Sequence, residues 1–366
     1  MRLGDLLEGI EHQILRGEYD IEISGVEYDS RRVAPGSAFV CVAGFKTDGH
    51  NYVSQAVLSG AGAIISERAV ETDGKCAVVL VRDARRVLSV LAARIFDHPT
   101  RSLRVVGVTG TNGKTTITHL IKAILEEAGH KVGLMGTLYA SFQDYQESFA
   151  NTTPESVDIE RFCRKVLDGK GEYVVMEVSS HALDLGRVNQ IDFDVAVFSN
   201  LTQDHLDYHK TLDNYREAKS LLFKNLELKI DKYAVINLDD DHAPAFIQAA
   251  GVEKITFGIT QTAIVKAVDA EISAGGSTFL VVYPDGELKI NLRLAGLFSV
   301  YNALAAITFA LREGIAPNII QTALSNVKVV PGRFESIDEG QDFTVIVDYA
   351  HTPDGLENIL KTARQI

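Results

Sequence analysis

The segment RVVGVTGTNGKTT at 104–116 constrains this chain more than any other. An apolar run, Arg104–Thr109, leads into a turn holding two glycines and a lysine. Residues 117–128 then carry Leu120, Ile121, Ile124 and Leu125 at helical spacing. Strand, glycine turn and amphipathic helix together form the unit of a parallel α/β sheet. Gly110 and Gly113 let backbone N–H groups close on phosphate oxygens at a helix N-terminus, where partial positive charge favours anions. Within Gly110-Thr111-Asn112-Gly113-Lys114-Thr115-Thr116, Lys114 is placed to reach the β- and γ-phosphates of ATP, and the Thr115 hydroxyl to bind Mg²⁺. A tight turn with a solvated lysine is the bland alternative, and the strand and helix flanks argue against it. Val108 stands where the general pattern G-x₄-G-K-[ST] has its first glycine. The loop alone therefore does not separate ATPase, GTPase, kinase and ligase.

The rest of the chain repeats the α/β theme. Apolar runs at 173–178, 195–200 and 233–237 each end in polar loops. Such runs are buried on both faces, as strands of a parallel sheet are. The stretch 264–294 alternates instead and carries turn signals at Ala274-Gly275-Gly276 and Pro284-Asp285-Gly286, which predicts antiparallel hairpins. A helix is expected at 301–313. Before the loop, β-type runs at 37–42, 61–65 and 77–81 alternate with helical stretches at 52–59 and 84–96. Asp97-His98-Pro99-Thr100 reads as a helix stop and linker. The expected fold class is α/β: a small N-terminal α/β domain over 1–100, then a central P-loop domain over 101–330 with a mostly parallel sheet plus hairpins. A third domain begins over 331–366, with a strand at 344–347 and a helix near 353–362. One strand and one helix cannot bury a core alone. This piece either docks on the central domain or belongs to a longer protein.

Composition removes several function classes. The formal charge of −13 argues against general nucleic-acid binding, which needs a basic surface. Cys41, Cys76 and Cys163 are far apart and outside any CxxC pattern, which disfavours a disulfide framework and suits a reducing cytoplasm. No basic, apolar leader opens the chain, and no apolar run approaches the ~18 residues of a membrane span. A cytoplasmic location without membrane insertion is expected.

Further candidates lie after the other strands. Glu177 ends the run at 173–178 and reads either as a Mg²⁺ ligand beside the phosphate loop or as half of a local ion pair. Asn200-Leu201-Thr202-Gln203-Asp204-His205-Leu206-Asp207-Tyr208-His209 reads either as a polar capping loop or as part of a site. Zinc on His205 and His209 lacks the HExxH context and a third obvious ligand. Lys219 lies in a helical pattern at 213–226, and its chemistry alone reads as a surface lysine.

Taken together, TGTNGKTT at 109–116, NTTP at 151–154, MEVSSHALDLGRV at 176–188, NLTQDHLDYH at 200–209 and YREAK at 215–219 resemble the Mur ligase family. These are ATP-dependent amide-forming enzymes of peptidoglycan precursor synthesis. LAGLFSVYNALAA at 294–306, PGRF at 331–334 and VDYAHTPDGL at 347–356 extend the resemblance, and residues 28–50 look like the family's uridine-binding segment. The pattern is most similar to the member that adds a diamino acid, meso-diaminopimelate or L-lysine, to UDP-N-acetylmuramoyl-L-alanyl-D-glutamate. The resemblance implies that Ser30, Phe45, Lys46 and Thr47 hold the uridine diphosphate end. It assigns Asn151, Thr152, Thr153, Ser179 and Arg187 to the muramoyl-dipeptide. Gly110 to Thr116 would hold ATP, with Asn302 and Arg333 at its adenosine part and Asp348 and His351 approaching from the third domain. Thr115, Glu177, His205 and a carbamylated Lys219 (N6-carboxylysine) would bind Mg²⁺. Lys114, Lys219 and His205 would act in catalysis, and a monomer is implied. Leu185 replaces a glutamine found in some relatives, which puts one substrate hydrogen bond in doubt.

The implied chemistry is carboxylate activation through an acyl phosphate, followed by attack of the diamino acid's amine. The family's third domain normally runs past Ile366, so the chain as given is expected to bind nucleotide sugar with little ligation. Two rivals remain at this level. A folylpolyglutamate synthetase should lack the front domain over 1–100. A non-catalytic nucleotide-sugar-binding fragment would fit the short third domain.

Overall fold

The computed structural model describes all residues except Lys46, 73–75, 227–230, Ala274, Asp338 and Ile366. Two compact units are present. The first comprises Met1–Ser102, Pro154–Asp168 and Ala182–Ile191, and the second Leu103–Thr153, Gly169–His181 and Asp192–Ile366. The first unit thus recruits two segments from far along the chain. Helix Ser156–Asp168 is amphipathic and places Val157 in the unit's core.

The first unit is built on a five-stranded sheet. Across it the order is His12–Arg16, Ala77–Val81, Ala63–Ser66, Ser37–Val40 and Gly25–Glu27. All neighbours are parallel except His12–Arg16, which runs antiparallel along an edge. Ser37–Val40, Ala63–Ser66 and Ala77–Val81 are the three runs legible in sequence. The short flanking strands carry half-exposed patterns that give little signal. Helix Ala84–Ile95 starts where the Asp83 carboxylate accepts from the Arg86 N–H. It stops at Asp97 and His98, which both take positive φ before the 3₁₀ turn Pro99–Ser102.

The second unit holds an eleven-stranded sheet among the described residues. From one edge it reads Gly286–Leu292, Gly276–Tyr283, Val265–Ser273, Glu253–Gly258, Tyr233–Asn237, Val195–Phe198, Arg104–Thr109, Tyr173–Glu177, Val132–Met135, Ala140–Phe142 and Tyr145–Glu147. The strands from Val265–Ser273 to Val132–Met135 pair in parallel, and hairpins extend both edges. The hairpins expected over 264–294 are present, although Ala274 in one turn lies outside the described residues. Helices Lys114–Glu127, Leu297–Arg312 and Pro317–Asn326 cover the sheet with Ile117, Ile121, Leu304 and Ile320 fully buried.

Strand Arg104–Thr109 lies between Tyr173–Glu177 and Val195–Phe198, with Val108 opposite Glu177 and Thr109 opposite Phe198. Three strand ends therefore open on the same side of the phosphate loop. That is where open α/β sheets bind ligands. The segment from 331 onward docks on this unit. It contains two paired strands, Glu335–Ile337 and Val345–Val347, where one was expected, followed by helix Pro353–Gln365. Phe334 meets the Phe298 ring edge-on at 5.8 Å.

Candidate nucleotide and metal site

Gly113 caps helix Lys114–Glu127 with φ +90°, and Gly110 takes φ +148°. Both conformations favour glycine, and space requires it as well. A Cβ on Gly110 would lie 1.9 Å from Ser199 Oγ, and one on Gly113 would lie 2.3 Å from Asn302 Oδ1. Ser199 and Asn200 hold the loop from the neighbouring strand end. Asn200 Oδ1 accepts from the Asn112 N–H at 2.9 Å, and Ser199 Oγ donates to the Asn112 carbonyl at 2.6 Å.

Two lysines meet at one oxygen inside this loop. Lys114 Nζ donates to the carbonyls of Gly110 (2.9 Å) and Thr111 (2.8 Å). Lys219 Nζ donates to the same Gly110 carbonyl at 2.8 Å and lies 4.4 Å from the Tyr215 ring centre. Lys219 is only 1% exposed, which overturns the expectation of a surface lysine. Burial pushes its pKa well below the ordinary lysine value, and the Lys114 charge pushes it further down. Burial also lowers Lys114, but there the Glu177 carboxylate pulls the other way.

Glu177 is 1% exposed, and both its oxygens accept from Thr137: Oε1 from the N–H at 2.9 Å and Oε2 from the hydroxyl at 3.1 Å. Among the described residues no salt bridge holds it, although its charge acts on Lys114. Thr137 carried no sequence signal. His205 sits in the left-handed region at φ +53°, with Nε2 3.4 Å from Asp204 Oδ2. Burial lowers its pKa, so the neutral imidazole, the form that ligates metals, is favoured. His209, its partner in the zinc reading, has Nε2 within 2.9 Å of Ser180 Oγ.

The expected ATP residues are brought together around two cavities. The larger, of about 350 Å³, is bounded by Asn112, Gly113, Thr116, Asn302, Arg333 and Asp348. The smaller, of about 150 Å³, takes in Lys114, Thr115, Glu177, His205 and His351. Arg333 donates to Thr115 Oγ1 at 2.8 Å and stacks over Tyr349. The Asp348 carboxylate accepts from the N–H groups of Phe334 and Ala350, both at 2.6 Å, and so shapes the turn that carries Arg333.

Comparison with known proteins supplies the family. The Mur ligase middle domain matches residues 108–310, the Mur ligase family catalytic domain residues 22–98, and the Mur ligase glutamate ligase domain residues 332–366. The chain belongs to the Mur ligase family. It is 53% identical over 366 residues to the UDP-N-acetylmuramoyl-L-alanyl-D-glutamate–2,6-diaminopimelate ligase of Syntrophomonas wolfei subsp. wolfei, covering all of this chain and 75% of that protein. The enzyme of the same name from Geobacillus thermodenitrificans is 49% identical over 348 residues, 94% of this chain and 71% of the relative. A solved structure of a ligase of that name superposes with a TM-score of 0.82 at 31% identity, over all of this chain and 74% of the other.

The Mur ligase residues expected to hold the UDP-peptide divide between the units. In the first, Ser30 is buried and donates to Gln55 Oε1 at 2.9 Å. Thr47 Oγ1 is 3.0 Å from the Tyr52 hydroxyl, Phe45 is 72% exposed, and Lys46 lies outside the described residues. Arg187 is buried 2.9 Å from Glu155 Oε1, which also pairs with Arg85. In the second, Asn151 is exposed, and Thr152 Oγ1 lies 3.1 Å from Thr137 Oγ1. Thr153 is fully buried. Its hydroxyl donates to the Glu177 carbonyl and accepts from the Ser179 N–H, so this side chain sews loop to strand end. Among the described residues no helix is long and apolar enough to cross a membrane.

Proposed function

We propose that this chain is an ATP-dependent amide ligase of peptidoglycan precursor synthesis. It adds 2,6-diaminopimelate to UDP-N-acetylmuramoyl-L-alanyl-D-glutamate. The observation that carries this reading is the convergence of Lys114, Lys219, Glu177 and His205 on one glycine loop at three strand ends. The 53% identity to a ligase of that name supports the choice of these substrates. ATP's γ-phosphoryl passes to the D-glutamate carboxylate: a carboxylate oxygen bonds to phosphorus, the β–γ bridge breaks, and ADP leaves. The diamino acid's amine then attacks the acyl carbon, loses a proton, and inorganic phosphate departs. Catalysis here is positioning and charge neutralisation, and it needs no side-chain nucleophile.

Lys114 supplies fixed positive charge beside the transferring phosphoryl group. Asn302 and Arg333 hold the adenosine part. The donors around the smaller cavity, a threonine hydroxyl, a buried carboxylate and a neutral imidazole, fit a hard divalent cation. Mg²⁺ there supplies charge neutralisation on the phosphates. Lys219 fits carbamylation. A buried amine pushed toward its neutral form adds to CO₂, forming an N–C bond and releasing a proton, and so presents oxygen instead of ammonium. Ser30, Phe45, Lys46 and Thr47 are assigned to the uridine diphosphate end, and Asn151, Thr152, Thr153, Ser179 and Arg187 to the muramoyl-dipeptide. A cytoplasmic monomer completes the reading.

The test supplies a full-length version of the protein with ATP, Mg²⁺ and UDP-N-acetylmuramoyl-L-alanyl-D-glutamate, together with 2,6-diaminopimelate or lysine. Tripeptide product is read by mass, and hydroxylamine is used to trap the acyl phosphate as a hydroxamate. Tripeptide is expected with 2,6-diaminopimelate, and the hydroxamate with hydroxylamine. Absence of both products would sink the reading.

A further inference from the structure

One carboxylate ties the segment after residue 330 to the phosphate loop. Asp354 lies in the first turn of helix Pro353–Gln365. Its Oδ2 accepts from Asn112 Nδ2 at 3.0 Å and from the Thr202 hydroxyl at 3.4 Å, while Oδ1 accepts from Asn358 Nδ2 at 3.2 Å. Three parts of the second unit therefore meet at one side chain: the phosphate loop, the loop leading to Asp204 and His205, and the helix itself. Asn112 is held from behind as well. Its N–H is bound by Asn200 Oδ1, and its carbonyl accepts from Ser199 Oγ and from Asn200 Nδ2 at 3.1 Å. With its backbone fixed, Asn112 extends its amide toward the helix.

The location fits a latch and not a phosphate contact. Asp354 and Asn358 line the 350 Å³ cavity together with Asn112. The 150 Å³ cavity has a different set, with Lys114, Thr115 and Glu177. A carboxylate among phosphate oxygens would repel them. On the nucleoside side it instead joins two walls of one cavity. Hydrogen bonds to a charged acceptor are among the stronger ones.

We infer that Asn112 and Asp354 form a latch through which occupation of the nucleoside cavity and seating of helix Pro353–Gln365 reinforce each other, making Asp354 a positioning residue for ATP. The inference rests on the reading that these cavities hold ATP. Two sites coupled through one bond show it as non-additivity. The experiment titrates the 366-residue chain with ATP and Mg²⁺, and separately with UDP-N-acetylmuramoyl-L-alanyl-D-glutamate. The set is the parent chain, Asn112→Ala, Asp354→Ala, the double variant, and Lys114→Ala as the control.

Each single change at the latch weakens ATP binding about tenfold, roughly what losing one charge-assisted hydrogen bond costs. The double variant loses no more than about twice the larger single loss, and UDP-peptide affinity stays within about twofold. Asp354→Asn keeps the shape, loses less than Asp354→Ala, and keeps the cycle readable if the alanine variant folds poorly. Losses that multiply to about a hundredfold in the double variant, or single variants within about twofold of the parent, would overturn the latch. A parent chain that binds no ATP, or a Lys114→Ala variant that binds as well as the parent, would instead refute the ATP reading.

Discussion

Lys114 and Lys219 deliver ammonium groups to the same oxygen, the Gly110 carbonyl, at 2.9 and 2.8 Å. They reach it from different surroundings. Lys114 stands at the start of the helix after the loop, and Glu177 counters part of its burial penalty. Lys219 comes from helix Leu212–Lys224, and its neighbour Lys114 adds to the penalty. The same carbonyl thus gathers a lysine whose burial is partly countered by a carboxylate and a lysine driven well below its ordinary value toward the neutral form. The first suits electrostatic work on phosphate. The second suits an amine that reacts before it binds anything.

The sharpest way to break this contrast is to remove each lysine. Lys114→Ala is expected to lower turnover by about 10²–10³-fold, the scale of losing one preorganised charge in a site of this kind, and to weaken ATP binding with it. Lys219→Ala should lower turnover by a similar factor while ATP affinity moves less than about threefold, because the proposed carbamate acts through the metal. Added formate, a small carboxylate, should restore part of the Lys219→Ala activity and none of the Lys114→Ala activity. Equal rescue of both, or of neither, would erase the distinction.

Acidity supplies the next test. The folded pKa of Lys219 is depressed below 10.5, so its neutral fraction grows as pH rises through that lowered value. Carbamate-dependent turnover should therefore fall on acidification and recover with added bicarbonate. Formate-rescued Lys219→Ala should lack the bicarbonate response. Initial rates between pH 6 and 9 at fixed total carbonate check this, and a bicarbonate response in the variant would count against the carbamate.

The same pair marks how far the sequence could be read. Lys114 was legible because its neighbours set its context: an apolar strand before, an amphipathic helix after, and glycines whose φ values the turn requires. Lys219 was not. Residue chemistry gave a surface lysine, and only the resemblance through YREAK at 215–219 assigned it a place. Its signal is burial against a strand end 109 residues away, which no local pattern encodes. Thr137 escaped for the same reason, since its value lies in where Glu177 arrives. The central parallel strands were legible because burial on both faces makes them uniformly apolar. The edge strands Ala140–Phe142 and Tyr145–Glu147 are three residues each and part-exposed, too short to show a period. The first unit's capture of Pro154–Asp168 and Ala182–Ile191 has no local mark either.

Two glycines at opposite ends of helix Lys114–Glu127 separate backbone geometry from site geometry. Gly113 and Gly129 have nearly the same φ, +90° and +94°. A Cβ on Gly113 meets Asn302 at 2.3 Å, whereas one on Gly129 meets nothing within 4 Å. Gly129→Ala should cost about 1 kcal/mol of stability from the left-handed conformation alone and leave ATP affinity unchanged. Gly113→Ala should cost that and also displace Asn302, weakening ATP binding by about tenfold or more. Calorimetric titration and melting of both variants decide the matter. Matching losses of affinity would mean that the helix as a whole, and not the loop, governs binding.

Burial singled out Lys219, so a second buried ionisable group tests whether burial by itself marks function. Glu160, in the first unit, is fully buried, and neither carboxylate oxygen has a hydrogen-bond partner among the described residues. Desolvation pushes it up to about 8, against a smaller opposing pull from Arg101, and its charge, after burial itself, disfavours ionisation of the buried Cys163. The folded value is raised, so the group's contribution to stability is whole below its ordinary value of about 4.5. It is lost progressively as pH rises toward 8. Glu160→Gln keeps the shape and removes the titration. Its melting temperature should match the parent near pH 4.5 and exceed it by a few degrees at pH 8, with turnover unchanged. Lys219 differs in having a carbonyl, an aromatic face and a second lysine around it, which give its burial a use. A loss of activity in Glu160→Gln at unchanged stability would show that burial is the better guide and the surroundings the worse one.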